Sequence, residues 1–388
     1  MGPSERFNDS DPPPAAPEPA APPALGGRLA SPRGLLSLLL ALLLIGLFLR
    51  SQDPAALRQA WTAIRGANPV LYLAALGVYY LAFPIRGQRW RLLLRNTGAP
   101  AAQLPRVRDL AEIIYLSWFV NSIVPAKLGD LYRGWLLQRE GGPAWSASMG
   151  TIVAERVLDF VVLVTLTVVT GLATYGEVLT AGLAGGPGAC LRGGVHLERL
   201  GCSLFQLFTL AGGMVLLLLV GLLAFARWGW RLARRLPPRP AELFVQFSGA
   251  LLLSFRGFGP ILALSVLAWV AEGTAFLLVG RALGLRLPLP LVVFFSLLQA
   301  FITVIPLTPG AVGLEFILVG ALTIKGYDGG QALAMTGLYR TISFLSLVLG
   351  GAVVYLFSRK TKTRVGGPAA GQGGDTKAAT AEDARGPA

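Results

Sequence analysis

The chain has 388 residues, 54% of them hydrophobic and only 14% charged, with a mean hydropathy of +0.61. Soluble domains carry nearer a quarter charged residues, so a soluble globular fold is excluded, as are collagen-like, disulfide-scaffold and wholly disordered classes. The net charge of +14, from 34 Lys and Arg against 20 Asp and Glu, is read as arginine-rich loops held near anionic lipid, not as a nucleic-acid footprint.

In chain order, residues 1–33 are rich in Pro and Ala (Pro12, Pro13, Pro14, Pro17, Pro19). They bury too little apolar surface to offset ordering entropy and are predicted to be a disordered cytosolic tail. Arg28 and Arg33 then precede the apolar run Leu35–Leu49. This resembles a signal peptide, but Arg50, Ser51, Gln52 and Asp53 follow in place of a small-x-small cleavage site, so a retained first span is expected. Further runs at Val70–Pro84, Thr151–Tyr175, Ser203–Ala226, Ile261–Val279, Leu289–Ile305 and Thr336–Phe357 approach or exceed what a bilayer core demands. Residues 34–358 form the expected transmembrane domain, and 359–388 a basic, disordered cytosolic tail. Gln246–Phe258 reads equally as an amphipathic surface helix or as the start of the following span.

Arginine clusters set the topology. Arg86, Arg89, Arg91, Arg95, Arg106 and Arg108 fill one loop, Arg227, Arg231, Arg234, Arg235, Arg239 and Arg256 a second, and Arg359, Lys360, Lys362 and Arg364 a third. The positive-inside rule places all three, and both termini, in the cytoplasm. If Asp109–Val124 crossed completely, the second cluster would face outward. The conflict disappears if residues 109–138 enter, turn at Pro125 and Gly129, and return to the same side. Sixteen residues of helix reach only about 24 Å, short of the roughly 30 Å core, and Pro125 supplies a break. A re-entrant hairpin is therefore expected. The same parity puts 175–201 outside with Cys190; Cys190 and Cys202 read as a disulfide in an oxidising compartment or as two free thiols.

A shift of 184 positions aligns Pro125 with Pro309, Gly129 with Gly313, Arg156 with Arg340, Phe160 with Phe344, Leu163 with Leu347 and Val164 with Val348. A second hairpin, residues 289–325, broken at Pro306, Pro309, Gly310 and Gly313, is expected to enter from the opposite face. Ordinary proline kinks are the plainer alternative. The expected fold is an all-α polytopic membrane protein with about seven full spans plus two re-entrant helical hairpins in an inverted repeat, an architecture of secondary transporters.

Charges at membrane depth are the candidate site. An arginine or aspartate at the bilayer centre costs roughly 2.5–3.5 kcal/mol on insertion scales. Asn121, Lys127, Asp130 and Arg133 surround the first break, Glu155, Arg156 and Asp159 open a long span, Glu272 sits mid-span, Glu315 follows the second break, and Arg340 begins the last span. Either these ions pair and fix helix packing, or they line a polar cavity in which Arg156, Arg340, Lys127 and Arg133 attract an anionic head group. The carboxylates would then balance charge or carry protons. Arg89, at the end of the second span, reads as a snorkelling anchor.

The stretch from Asn121 through Pro125, Lys127, Gly129 and Asp130 to Arg133, then Glu155, Arg156 and Asp159, then Pro306, Pro309, Gly310, Gly313 and Glu315, resembles the lysylphosphatidylglycerol synthase transmembrane region. This flippase-like family is also found in the multiple peptide resistance factor. The similarity covers roughly residues 35–357 and keeps the order of three motifs. It implies a polytopic flippase-like domain acting on lipids with anionic or modified head groups. Asp130 stands where the family often has Glu, and the short tail after Phe357 leaves no room for the aminoacyl-transferring domain, so synthase activity is not implied.

A lipid translocase of the plasma (inner) membrane is thus the expected function, its partner a phospholipid, glycolipid or polyprenyl-phosphate-linked lipid, with no cofactor, metal or nucleic acid. A non-transporting partner of a lipid-modifying enzyme is the second expectation. An enzyme is the third: His196 is the single histidine, and neither a Cys/His metal constellation nor a Walker or Gly-x-Ser-x-Gly motif is present.

Overall fold

A computed structural model of the chain describes residues 39, 43, 46–100, 102, 104–124, 128–184, 196–295 and 314–361, with 171, 172, 174–184, 196–211, 232, 314, 316, 317, 321 and 324 described as backbone. The expected tail 1–33, most of Leu35–Leu49, Cys190, Pro125, Lys127, Pro306, Pro309, Gly310 and Gly313 lie outside the described residues. The helices are α1 Pro54–Arg65, α2 Pro69–Asn96, α3 Val107–Ile123, α4 Leu128–Arg139, α5 Trp145–Ala184, α6 His196–Ala233, α7 Pro238–Leu253, α8 Phe258–Ala282, α9 Leu314–Ile324 and α10 Gly329–Arg340; a π-helix, Thr341–Ser346, then runs into α11, Leu347–Phe357. No strand occurs among the described residues. Four stretches are long and apolar enough to cross a membrane: α2, Gly212–Arg231 within α6, α8, and Gly329–Phe357.

Local chemistry explains the boundaries. Asn68 caps α2 by accepting from the N–H groups of Val70 (2.9 Å) and Leu71 (3.2 Å), and Pro69 fills the first helical position. The 28 residues of α2 make about 42 Å of helix. It therefore continues past the expected end at Pro84 and takes in Arg86, Arg89, Arg91 and Arg95, which the sequence reading placed in a loop. Gln52–Asn68, read as a loop, holds α1, capped by Asp53 (3.0 Å to Ala55 N). α5 and α6 also outgrow their expected spans, into the segment read as the 175–201 loop. Gln246–Phe258 proves to be the end of α7, a turn at Gly257 (φ +61°) and the first residue of α8.

α3 and α4 form a helical hairpin. At 17 residues, α3 is about 26 Å long. The arms meet at Gly129, whose N–H donates to Asn121 Oδ1 at 2.8 Å. A Cβ on Gly129 would sit 2.1 Å from the Ser117 carbonyl oxygen, so only glycine permits this approach. On its other side α3 takes α11: a Cβ on Gly350 would meet the Tyr115 hydroxyl at 2.4 Å, and one on Gly351 the Phe119 ring at 2.6 Å.

α2 is the central helix, packed against α3, α5 and α8. Its buried face supplies Ala75, Tyr79, Phe83, Trp90, Leu93 and Leu94 to the core. Gly212–Arg231 presents Met214, Leu216, Leu217, Val220 and Leu223 outward, as lipid-facing surface does. Beyond α11 the chain stays engaged. Lys360, assigned by sequence to the trailing tail, is buried; Nζ bonds Asp109 Oδ1 (3.1 Å) and Glu112 Oε2, and Ser358 Oγ donates to Glu112 Oε1 at 2.5 Å.

Candidate functional site

The spacing of the charges decides what meets what. Glu155 and Asp159 lie four apart on α5 and share a face; Arg86 and Arg89 lie three apart on α2 and share another. These faces are turned toward each other. Arg89 Nη1 and Nη2 grip Asp159 in a fork at 2.5 and 3.0 Å, with Nη2 also 3.0 Å from Glu155 Oε1 and Nη1 donating to Ser265 Oγ of α8 at 2.9 Å. Arg133 of α4 forks onto Glu155 at 3.1 and 2.8 Å. Its guanidinium lies 3.7 Å from the Trp90 ring centroid, and Trp90 Nε1 is fixed by Thr151 Oγ1 at 3.1 Å. Bidentate arginine–carboxylate bonds are the strong, geometrically specific kind.

Arg156 is held differently. Its Nε lies 3.3 Å from Asp130 Oδ2 and its Nη2 3.4 Å from Asp130 Oδ1, while Glu155 and Asp159 are each 3.8 Å away. Glu155 and Asp159 are already committed to Arg89 and Arg133. The Arg156 side chain is 36% exposed and Asp130 17%, against 0% for Arg89 and Arg133. A fourth pair lies nearby: Arg86 Nη2 donates to Glu272 Oε1 at 2.5 Å, its guanidinium 4.9 Å from the ring centres of both Trp118 and Trp269.

Arg86, Arg89, Arg133 and Arg156 thus face Asp130, Glu155, Asp159 and Glu272, a balanced set on α2, α4, α5 and α8. Replacing buried ion pairs by well-packed apolar residues is often neutral or stabilising. A stability role therefore explains this cluster poorly. Among the described residues, the Nε of Arg86, Arg89, Arg133 and Arg156 and the Trp269 Nε1 are buried without a hydrogen-bond partner.

Of the residues singled out by sequence, Asp130, Arg133, Glu155, Arg156, Asp159 and Glu272 converge here. Arg340 and Glu315 form a separate pair, Nε to Oε1 at 2.8 Å, with Arg340 also 5.0 Å from the Phe344 ring. Asn121 caps α4. Lys127 and the breaks Pro125, Pro306, Pro309, Gly310 and Gly313 lie outside the described residues; Gly129 is the hairpin contact. Sequence reasoning missed Arg86 and Arg89. Arg89 does not snorkel: it is fully buried and bonded to two carboxylates. A signal was available, because an arginine pair at helical spacing, Arg86 and Arg89, ended the preceding span, matching the four-residue spacing of Glu155 and Asp159.

Outside the helices, the Lys360 clasp has its own electrostatics. Burial pulls the ammonium down, but the hydrogen bonds and charges of Glu112 and Asp109 outweigh it, and the pKa is raised.

These features define an all-helical, multi-pass membrane protein with an ionic cluster among its central helices. The chain belongs to the lysylphosphatidylglycerol synthase transmembrane-region family, whose model matches residues 34–351. It is 28% identical over 240 residues to a UPF0104 membrane protein of Methanocaldococcus jannaschii, covering 61% of this chain and 93% of that protein. It is 26% identical over 355 residues to the glycosyltransferase AglD of Haloferax volcanii, covering 85% of this chain and 54% of AglD. A UPF0104 membrane protein of Methanothermobacter thermautotrophicus is 22% identical over 316 residues, covering 78% of this chain and 90% of the relative. No solved structure matches the chain.

Proposed function

We propose that the protein is a lipid translocase that moves a lipid with an anionic or modified head group between leaflets. The head group enters a polar cavity between two re-entrant hairpins, residues 109–138 and 289–325, while the acyl or prenyl tails stay in the bilayer. Alternating access comes from one half rocking against the other. Both termini are cytoplasmic and the membrane is the plasma (inner) membrane.

The observation that carries this reading is the contrast between Arg156 and its neighbours. Arg89 and Arg133 are locked at 2.5–3.1 Å with no exposure; Arg156 is left with contacts of 3.3–3.8 Å and a third of its side chain open. A phosphate oxygen offers that guanidinium a shorter, charge-assisted bond than any carboxylate around it. The pairs of Arg89 and Arg133 with Asp159 and Glu155 act as a rigid, neutral frame that keeps Arg156 at depth without surrendering it.

The test is Arg156→Ala in proteoliposomes, scored by the appearance of fluorescent phosphatidylglycerol in the opposite leaflet. Translocation should fall at least tenfold while the protein stays folded. Unchanged translocation in a folded variant removes Arg156 from the mechanism.

One observation favours a second reading. The match to AglD takes up 54% of a protein named as a glycosyltransferase, and this chain would then be a non-transporting membrane partner of a lipid-modifying enzyme. Co-purification of such an enzyme, with no lipid movement in liposomes, would favour it. Product formation from labelled lipid by the purified protein alone would instead make the chain an enzyme.

A further inference from the structure

Among the four carboxylates of the cluster, Glu272 stands apart in what depends on it. Glu155 faces Arg89, Arg133 and Arg156, so neutralising it strands three cations; Asp159 faces Arg89 and Arg156. Asp130 lies at the open edge, where Arg156 can turn to other oxygens. Glu272 is buried in the middle of α8 and accepts from Arg86 alone among the described residues. Arg86 has a second means of support. Its guanidinium sits 4.9 Å from each of two indole rings, Trp118 of α3 and Trp269 of α8. A desolvated cation on an aromatic face is attracted by the ring's negative face. Loss of the Glu272 charge therefore leaves Arg86 held, which is true of no other arginine in the buried set except Arg133 on Trp90, whose carboxylate is shared.

The groups facing Glu272 come from each helix packed on α8. From α2 they are Arg86, Arg89 and Tyr79, from α5 Asp159, and from α10 Tyr339. Among the described residues no second cation is bonded to Glu272, and Asp159 adds like charge. The Nε of Arg86 and the Nε1 of Trp269 are buried donors without a hydrogen-bond partner among the described residues.

We propose that Glu272 is the proton-binding site that couples this protein to a proton gradient, an inference that rests on the transport reading. A proton adds to the Glu272 carboxylate, the ion pair with Arg86 Nη2 is lost, and Arg86, still gripped between Trp118 and Trp269, donates to a phosphate oxygen of the arriving head group. Release of the head group returns Arg86 to Glu272 and the proton leaves. Because Trp118 belongs to the α3–α4 hairpin, the exchange is transmitted directly to that element.

Infrared difference spectroscopy of the purified protein tests this without any lipid substrate. Lowering the pH from mildly alkaline to mildly acidic should produce a protonated-carboxyl band that is absent in Glu272→Gln and shifted in frequency in Glu272→Asp. The band should be accompanied by a change in tryptophan fluorescence that Trp118→Phe diminishes. No Glu272-dependent band over the range in which the protein stays folded overturns the proposal. In proteoliposomes carrying fluorescent phosphatidylglycerol, an imposed pH gradient should raise wild-type translocation several-fold and leave Glu272→Gln indifferent. Wild-type translocation that ignores the gradient also overturns it. Absence of translocation by wild type under every gradient, with the carboxyl band intact, instead defeats the transport reading and leaves the proton site standing.

Discussion

Arg156 meets Asp130 through both Nε and Nη2, at 3.3 and 3.4 Å, and this bond ties the long helix α5 to the hairpin α3–α4. The other half of the chain carries its counterpart. Arg340 meets Glu315 at 2.8 Å, and Arg340 is the residue that the 184-position shift places on Arg156. In each half an acid that follows a Pro-x-x-x-Gly sequence pairs with an arginine further along the chain. Both pairs are partly open, at 36% and 17% for the first and 13% and 16% for the second. Equivalent placement predicts equivalent sensitivity. Arg340→Ala should lower lipid translocation by about as much as Arg156→Ala, within a few-fold, and Arg156→Lys should restore only part of the loss because a planar set of donors becomes a point charge. Scrambling assays on the three variants check this; a silent Arg340→Ala would confine the head-group site to the first half.

The buried part of the cluster should behave oppositely. Glu155 is nearly inaccessible and receives forks from Arg133 and a bond from Arg89. Glu155→Gln leaves two buried guanidinium groups short of a counter-charge, a loss of about 3–5 kcal/mol. Asp130→Asn removes a long, half-open contact, for about 1 kcal/mol or less. Thermal melts of detergent-solubilised variants should show a large drop in Tm for the first and a small one for the second. Equal drops would mean that Asp130 is as structural as Glu155.

What sequence alone could reach follows from this division. The hairpin contact Gly129, the acids Glu155, Asp159 and Glu272, and the pairing of Arg156 and Arg340 with acids are legible because each violates the apolar pattern around it. The partners are not. Arg86 and Arg89 fall just past an apolar run, where an arginine ordinarily marks the membrane surface, and only the tertiary approach of α5 and α8 to α2 turns them inward. Asn121 shows the converse: its position beside the break suggested a ligand, but a helix starting at Leu128 has bare N–H groups and the nearest side-chain oxygen satisfies one. Lys360 reads as a stop-transfer cation, and only the folding back of the chain end onto α3 supplies Asp109 and Glu112.

Gly129→Ala gives a sharp test of the hairpin. The added methyl would lie 2.1 Å from a backbone oxygen, where no rotamer change relieves it. Overpacking of this kind costs typically about 1–3 kcal/mol, occasionally more, and a backbone clash belongs at the upper end. Gly77→Ala in α2, with nothing within 4 Å of the new methyl, should instead be neutral or gain up to about 1 kcal/mol in helix propensity. Comparing the two melting curves separates a packing requirement from a general intolerance of substitution.

The Lys360 clasp predicts a pH dependence with a defined sign. Its ammonium is favoured in the folded state, so its pKa there exceeds that of the unfolded chain. The stabilisation is complete below the ordinary lysine range and is lost as pH rises through the raised value. Wild type should therefore lose Tm at strongly alkaline pH by more than Lys360→Met does, while near neutral pH the gap between the two stays constant. A gap that does not close at strongly alkaline pH would mean that the Lys360 charge contributes nothing to the folded state.

The last prediction concerns the π-helix Thr341–Ser346, which sits between α10, carrying Arg340, and α11, packed on the hairpin. π-Helical turns widen the backbone and commonly fall at functional positions. Here three tyrosine hydroxyls of α2 line the widened turn. Tyr72 reaches Thr341 Oγ1 at 2.6 Å, Tyr80 reaches Ser346 Oγ at 3.0 Å, and Tyr79 donates to the Ser343 carbonyl at 3.4 Å. Deleting one residue, Ser343, should let the segment relax to an α-helix with little rotation of α11 relative to α10, because six residues of π-helix turn about as far as five of α-helix. Inserting one residue there should instead rotate α11 by about 100°, carrying Gly350 and Gly351 off Tyr115 and Phe119 and Ser358 away from Glu112. A short bifunctional thiol reagent should therefore cross-link Ser358→Cys to Glu112→Cys in the parent and in the deletion, and fail in the insertion. Tyr79→Phe, which removes one hydrogen bond worth about 1 kcal/mol, should keep the cross-link. If the insertion variant cross-links as well as its parent, the π-helix is not what sets the register of α11 on the hairpin.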